Sequence, residues 1–326
     1  MFVKQQPGSW LSSVVACVDP TRGDQADSVL KSACQVASRS VGCETEVKAL
    51  YVSRSTFWKS RESSLLTDLL KNASSVSPQQ IDVDEPVVSS RSVKRALVDG
   101  IRDKNPDLCV IGSNTGRLQA VFSTAQYVLR HAPCDVLVVP ETGSDLDHAM
   151  KALVCFGIND WEGSIDAFKA TLRIARPGDT VEAVHVVYAG GPVDAVFGPP
   201  MMVPRGNGTT GEKISAALEQ AMLEVLDDAA CHLNREDIEI KPTVLFAGID
   251  NPIKVLVDYG EQRGANLLSV GVGSIEKIFN PVNFSYQLTR KSPVSVLVAR
   301  RTVAPEQVMS YYVEDPELWV QSKSFI

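Results

Sequence analysis

Gly112 and Gly271 are the residues whose surroundings best suit ligand chemistry. Each closes an apolar strand and opens a polar loop that leads into a short helix. A glycine at such a place lets backbone N–H groups approach a phosphate closely, and the helix N-terminus adds positive partial charge. Other chemistry finds less support. Ser113 and Ser274 each follow a glycine, but the sequence sets no base beside them, so they read as loop serines. His185 sits inside a strand and His131 just before a proline turn, and neither has a Ser, Cys or carboxylate partner that would complete a triad. GxxxxGK[ST], GxSxG, HExxH and a GxGxxG followed by an acidic residue at ribose distance are all missing. The expectation is a protein that is not an enzyme.

The surroundings of the two glycines repeat. Val110 to Pro140 reads VIGSNTGRLQAVFSTAQYVLRHAPCDVLVVP, and Leu267 to Arg301 reads LLSVGVGSIEKIFNPVNFSYQLTRKSPVSVLVARR. In both, an apolar strand, a glycine, a polar loop, a short helix and a proline-marked turn precede a second apolar strand. Earlier segments recur in the same order, with Asp19 and Asn159 each just past a strand. Those two lie 140 residues apart, whereas the glycines lie 159 apart, so 19 residues are inserted between them in the second copy. The Gly/Pro-rich stretch from Gly190 to Gly211 fits that insertion and reads as a long surface loop.

The chain has 326 residues, enough for two domains that each bury a core. Acidic residues outnumber basic ones, 39 to 32, which argues against a nucleic-acid partner. Seven cysteines without a CxxC or Cys/His ligand spacing, among them Cys17, Cys109 and Cys155 on apolar segments, read as buried thiols rather than metal ligands or disulfides. No stretch approaches the length of a membrane span, so a cytoplasmic location without membrane contact is expected.

Each half reads β-α-β-α-β-α-β-α-β. In the first, strands are expected near Val14–Val18, Glu46–Val52, Gln80–Val83, Leu108–Gly112 and Val136–Val139, with helices near Asp24–Arg39, Arg61–Lys71, Ser89–Asp103 and Gln119–Arg130. In the second, strands fall near Ala152–Ile158, Thr180–Tyr188, Ile238–Leu245, Leu267–Gly271 and Ser295–Ala299, with helices including Gly211–Leu233 and Pro252–Arg263. Short Val/Leu-rich runs alternating with amphipathic segments predict open five-stranded parallel α/β sheets, two in tandem, with helices on both faces. The polar TGSDLDHAM marks the boundary: a first domain over residues 1–145, a second over 146–301, and a tail over 302–326 containing Tyr311, Tyr312, Trp319 and Phe325.

The strand ending at Asp19, NPDLCVIGS from Asn105 and HAPCDVLVVP from His131 together resemble a universal stress protein domain. INDWEGSIDAF, RPGDTVEAVHV, IKVLVDYGEQRGANLLSVG and RKSPVSVLVARR resemble it independently in the second half. The resemblance spans Ser12 to Arg301 and implies two domains of the adenine nucleotide α-hydrolase-like fold. It also implies that the fifth strands meet edge to edge, Val136–Val139 against Val296–Val298. Covering two apolar edges gives that pairing a physical motive. ATP is the ligand the resemblance implies. Its binding members carry Gly-x2-Gly-x9-Gly-Ser/Thr after the fourth strand, an aspartate at the adenine and a valine lining the base. The implied positions in this chain are Asp19, Val52, Gly112, Gly116, Ser123 and Thr124 in the first copy. In the second they are Asn159, Val186, Gly271, Gly273, Ser274 and Asn283.

The sequence departs from that pattern in both copies. Phe122 stands where the first copy should have its last glycine, and Val282 with Pro281 nearby stands there in the second. Asn159 replaces the aspartate, an amide that accepts but also donates. Plainer readings compete: Asp19 as a turn and helix-cap residue, Val52 and Val186 as core valines, Gly112 as the glycine that ends a strand, and Arg117 and Lys277 as solvated charges. The adenylating enzymes that share this kind of sheet carry an SGGxDS-type loop, which ACVDPTRGDQ does not match.

The expected function is a non-catalytic stress-response module with weak or lost nucleotide binding, acting through contacts with an unidentified protein. Self-association into a homo-oligomer is left open. One alternative is an ATP switch in the second domain through Asn159, Gly271, Gly273, Ser274 and Asn283, for which Gly271→Val should abolish binding and leave the fold intact. A second is a small-molecule or enzymatic role for the Gly190 to Gly211 loop, whose FGPPMMVP would otherwise be an unusual exposed apolar patch.

Overall fold

The structure, a computed structural model, describes residues 11–40, 44–53, 59–76, 81–83, 87–88, 92–113, 124–143, 145–157, 161–188, 209–248, 251–272 and 284–300. The first half contains β1 (Ser13–Cys17), α1 (Gly23–Arg39), β2 (Glu46–Leu50), β3 (Val52–Ser53), α2 (Lys59–Val76), β4 (Ile81–Val83), β5 (Val87–Val88), α3 (Val93–Lys104), β6 (Leu108–Gly112), α4 (Thr124–His131) and β7 (Asp135–Val139). The second contains β8 (Lys151–Cys155), α5 (Trp161–Ile174), β9 (Thr180–Tyr188), α6 (Thr209–His232), β10 (Glu239–Gly248), α7 (Pro252–Arg263), β11 (Leu267–Val272), α8 (Phe284–Lys291) and β12 (Ser295–Arg300).

Each half is a parallel sheet wound outward from its first strand, in the order β4-β2-β1-β6-β7 and β10-β9-β8-β11-β12. Their last strands pair antiparallel, Val296 with Val138, Leu297 with Leu137 and Val298 with Val136. The two expected sheets therefore join at their fifth strands into one ten-stranded sheet, and the valine-rich edges cover each other.

Strand composition follows burial. β7, DVLVV, is buried along its whole length, which an alternating amphipathic strand could not tolerate. One face of the sheet packs Val29, Leu30, Leu66, Phe168, Leu172 and Leu226 from α1, α2, α5 and α6. The other packs Leu97, Ile101, Val128, Ile253, Leu256 and Leu288 from α3, α4, α7 and α8. Helix ends carry their own signals: the Ser92 hydroxyl accepts from Arg95 N at 3.4 Å before α3, and Asn105 ends that helix at φ 45°. Asn251 caps α7 through Ile253 N at 2.9 Å, Pro252 begins it, and Gly264 ends it at φ 66°.

Several boundaries differ from expectation. The second strand breaks at Tyr51, and Val52–Ser53 pairs with Val87–Val88 in a separate two-stranded ladder. Tyr51 is buried and its hydroxyl meets Ser63 Oγ at 2.8 Å, which ties the break to α2. α3 begins after Ser92 rather than at Ser89, because the capping serine is Ser92. α6 already includes Thr209 and Thr210, which shortens the expected 190–211 loop; the expected start of α4 near Gln119 lies outside the described residues. The remainder of that loop, including Phe197 to Pro204, and the tail after Arg300 lie outside the described residues.

A buried knot joins the halves beside the boundary segment. Arg39, the last residue of α1, forms an ion pair with Asp179. It also donates to the carbonyls of Ile174 (3.0 Å), Leu146 (2.5 Å) and His148 (3.2 Å). Asp179 in turn accepts from the backbone of Met150 (2.7 Å) and Arg176 (2.6 Å).

Candidate functional site

In an open α/β sheet, ligands enter at the carboxyl ends of the strands where the winding direction reverses. Here that reversal lies between β1 and β6 in the first half and between β8 and β11 in the second. Both positions are framed by the sequence-predicted residues.

In the first half, Asp19 follows β1 and is exposed. Its Oδ1 accepts from Thr21 N at 3.1 Å and Thr21 Oγ1 at 2.6 Å, and its Oδ2 lies 3.5 Å from Arg22 Nε. The carboxylate thus closes the turn into α1, as the plainer reading has it, although the residue at the helix cap is Arg22, which makes no side-chain cap bond. Val52 is half-buried against the core on the α3 side. Thr124 opens α4 and is half-buried. Gly116, Arg117, Phe122 and Ser123 lie outside the described residues.

Gly112 ends β6 and faces α1. A Cβ on it would stand 2.7 Å from Gln25 Cδ and 2.8 Å from its Cγ and Nε2. Gln25 Nε2 donates to the Ser113 carbonyl. The neighbouring Ser113 N–H extends the strand by donating to Val139 O at 2.7 Å. The space that a bare α-carbon opens at this strand end is therefore taken up by the chain's own glutamine.

The second half reaches the same result by another route. A Cβ on Gly271 would overlap the carbonyl of Gly163 and stand 2.8 Å from its Cα. The first turn of α5 rests directly on the end of β11. Ser164, next in that turn, accepts from Gly157 N at 2.9 Å, fastening the helix start to the end of β8. Phe156 and Trp161 pack edge to face with ring centroids 4.8 Å apart. Val186 is half-buried against the α7 side of the core. Its neighbour His185 is bonded through Nδ1 to the Phe156 carbonyl at 2.7 Å, and burial lowers its pKa, so the ring is held neutral. Asn159, Gly273, Ser274, Lys277, Pro281, Val282 and Asn283 lie outside the described residues.

Gln25 and Gly163 are the site residues that sequence reasoning missed. Gly163 left a signal, since a glycine in the first turn of a helix weakens it unless a neighbour must approach closely. Gln25 left none, being an ordinary polar residue on an amphipathic helix. Gly271→Val, expected to leave the fold intact, would set its side chain against the Gly163 backbone, which cannot swing aside as a side chain can.

The buried thiols are not poised for chemistry. Cys17 and Cys109 meet at 3.4 Å. That contact and burial push Cys109 well up, and burial does the same for Cys134 and Cys155. Among the described residues no group of His, Cys, Asp or Glu could hold a metal ion, and no helix is long and apolar enough to cross a membrane.

Doubly wound halves that each place a glycine at the reversal point define an open α/β fold with a mostly parallel sheet. A family comparison is more specific: residues 12–140 match the model of the universal stress protein family. Among curated proteins there is no significant match. Among solved structures, the chain is similar to a universal stress protein from Archaeoglobus fulgidus DSM 4304, with a TM-score of 0.59 and 17% identity over 89% of this chain and 96% of that one. It is also similar to a putative universal stress protein from Pseudomonas aeruginosa UCBPP-PA14, with a TM-score of 0.54 and 12% identity over 92% and 96% of the two chains. These likenesses extend the fold across both halves.

Proposed function

We propose that this chain is a non-catalytic stress-response regulator built from two universal stress protein domains, over residues 1–145 and 146–301, with nucleotide binding weak or lost. It acts through contacts with another protein, in the cytoplasm, where the free thiols Cys17, Cys34, Cys109, Cys134, Cys155 and Cys231 are in keeping with a reducing compartment. The observation that carries this reading is the occupation of both glycine positions from within: Gln25 on Gly112 and the α5 backbone on Gly271. Each glycine has a packing reason that needs no phosphate. Asp19, whose carboxylate already serves Thr21 and Arg22, supports the same reading.

Thermal unfolding with and without millimolar ATP and magnesium tests it. A ligand at 100 times its dissociation constant stabilises by about 2.7 kcal/mol, and each kcal/mol moves the midpoint by roughly 2 to 4 °C in a domain of this size. The expected result is no such rise. A rise of several degrees would overturn the reading in favour of an ATP switch.

A further inference from the structure

The last residue of β12 carries a guanidinium with an unused donor edge. Arg300 follows Val296 and Val298 at two-residue spacing. Those valines lie in the core on the α4 side, with Cys109 and Cys134, so the Arg300 side chain turns toward that face. Its Nε and Nη2 are shielded from solvent and meet no acceptor among the described residues. Nε and Nη2 share the edge from which two N–H bonds run parallel, the geometry that a carboxylate or phosphate accepts at both oxygens.

The groups around it do not supply that acceptor. Asp135 spends one oxygen on the Arg300 backbone N–H, at 2.8 Å, and its other lies 3.8 Å from Arg173 Nη1. Cys109 and Cys134 are neutral thiols, the first held so chiefly by its contact with Cys17 and the second by burial. Burial also lowers the Arg300 pKa, the mark of a cation taken from water without full compensation. Arg300 as a whole is half-buried at the end of its strand, but the exposed part is not the Nε–Nη2 edge, so an acceptor reaches that edge only where the surrounding chain gives way.

We propose that Arg300 anchors an oxyanion site at the seam between the two halves, taking a carboxylate or phosphate group on Nε and Nη2. Two sources share this chemistry: a free phosphate-class anion, or a carboxylate of Glu306, Glu314, Asp315 or Glu317, which follow Arg300 in the chain. Neither source involves the glycine positions, so the site stands whether or not ATP binds.

The test uses the full chain and reads the thermal midpoint in sodium phosphate against sodium chloride at matched ionic strength. Four proteins are compared: wild type, Arg300→Lys, a variant with Glu306→Gln, Glu314→Gln, Asp315→Asn and Glu317→Gln, and the combination of the two. Lysine keeps the charge and lacks the two-nitrogen edge, which guards against simple loss of folding. A phosphate-specific rise of about 2 °C or more in wild type that disappears in Arg300→Lys establishes a free-anion site. No rise in wild type, with an Arg300-dependent rise appearing once the four carboxylates are neutralised, assigns the acceptor to the tail. A rise that is equal with and without Arg300, or no Arg300-dependent rise in either background, overturns the proposal.

Discussion

Arg39 and Asp179 form an ion pair across the two halves with both side chains almost wholly buried, at 2% and 3% exposure. Asp179 is already bonded to two backbone N–H groups, and Arg39 to three carbonyls. The pair therefore organises the segment between the halves as well as neutralising charge.

Removing Arg39 strands both a carboxylate and the carbonyls it served. Breaking a buried pair from one side destabilises by roughly 3–5 kcal/mol. Arg39→Met should lower the unfolding free energy measured by urea denaturation by an amount of that order, and the Arg39→Met/Asp179→Asn double variant should lose less than the sum of the singles. Strict additivity would mean that the pair contributes no coupling.

Gly271→Ala and Gly112→Ala should separate clearly. At Gly112 the obstacle is a glutamine side chain, which can rotate away after releasing the Ser113 carbonyl, for about 1 kcal/mol. At Gly271 the obstacle is the Gly163 backbone, so α5 must lift off β11 and the loss should reach about 3 kcal/mol or more. Denaturant unfolding of the two variants decides the order. Equal losses would show that the α5 contact is not rigid.

Asp135 titrates at about 6, raised from 3.8 chiefly by burial. A raised carboxylate pKa means that the folded state binds the proton more tightly than the unfolded one. Stability from this group is full below pH 3.8 and falls as pH rises through 6, by about 3 kcal/mol at most. Asp135→Asn should flatten that fall and gain stability at pH 7 relative to wild type. An unchanged slope of stability against pH between 4 and 6 would refute the assignment.

His185 acts in the opposite sense. Its folded pKa is lowered by burial, so the neutral ring is favoured and stability is lost as pH falls below its ordinary value of 6.5. His185→Gln should remove that loss on the acid side while Asp135 continues to gain. Stability curves of the two single variants over pH 4 to 7 should therefore bend in opposite directions.

The α/β rhythm was legible because Val/Leu-rich runs and the repeat of Gly112 at Gly271 are local patterns, whereas the meeting of β7 with β12 was implied by the family resemblance, with the covering of two apolar edges as its physical motive. The break at Tyr51 was not legible: Tyr51 is buried and its hydroxyl meets Ser63 on the following helix, a tertiary contact that no local pattern records. Arg39 and Gln25 were illegible for a similar reason: each reads as a polar residue on an amphipathic helix until the chain folds back over it. At the candidate site, sequence could set the glycines at strand ends but not say what lies against them, which is a matter of tertiary approach alone.

The seam of β7 and β12 has one more consequence. A homodimer made through this strand would have to present the same residue on both sides of its twofold axis, so any charge placed there meets its own copy. Joining the halves in one chain lifts that restriction. Cys134 and Asp135 stand across from the Arg300 end of the seam, while at the opposite corner Val139 and Pro140 stand across from Val294 and Ser295. One corner is ionic and the other neutral, an asymmetry closed to a homodimer and open to two halves whose sequences differ, in which each corner changes on its own.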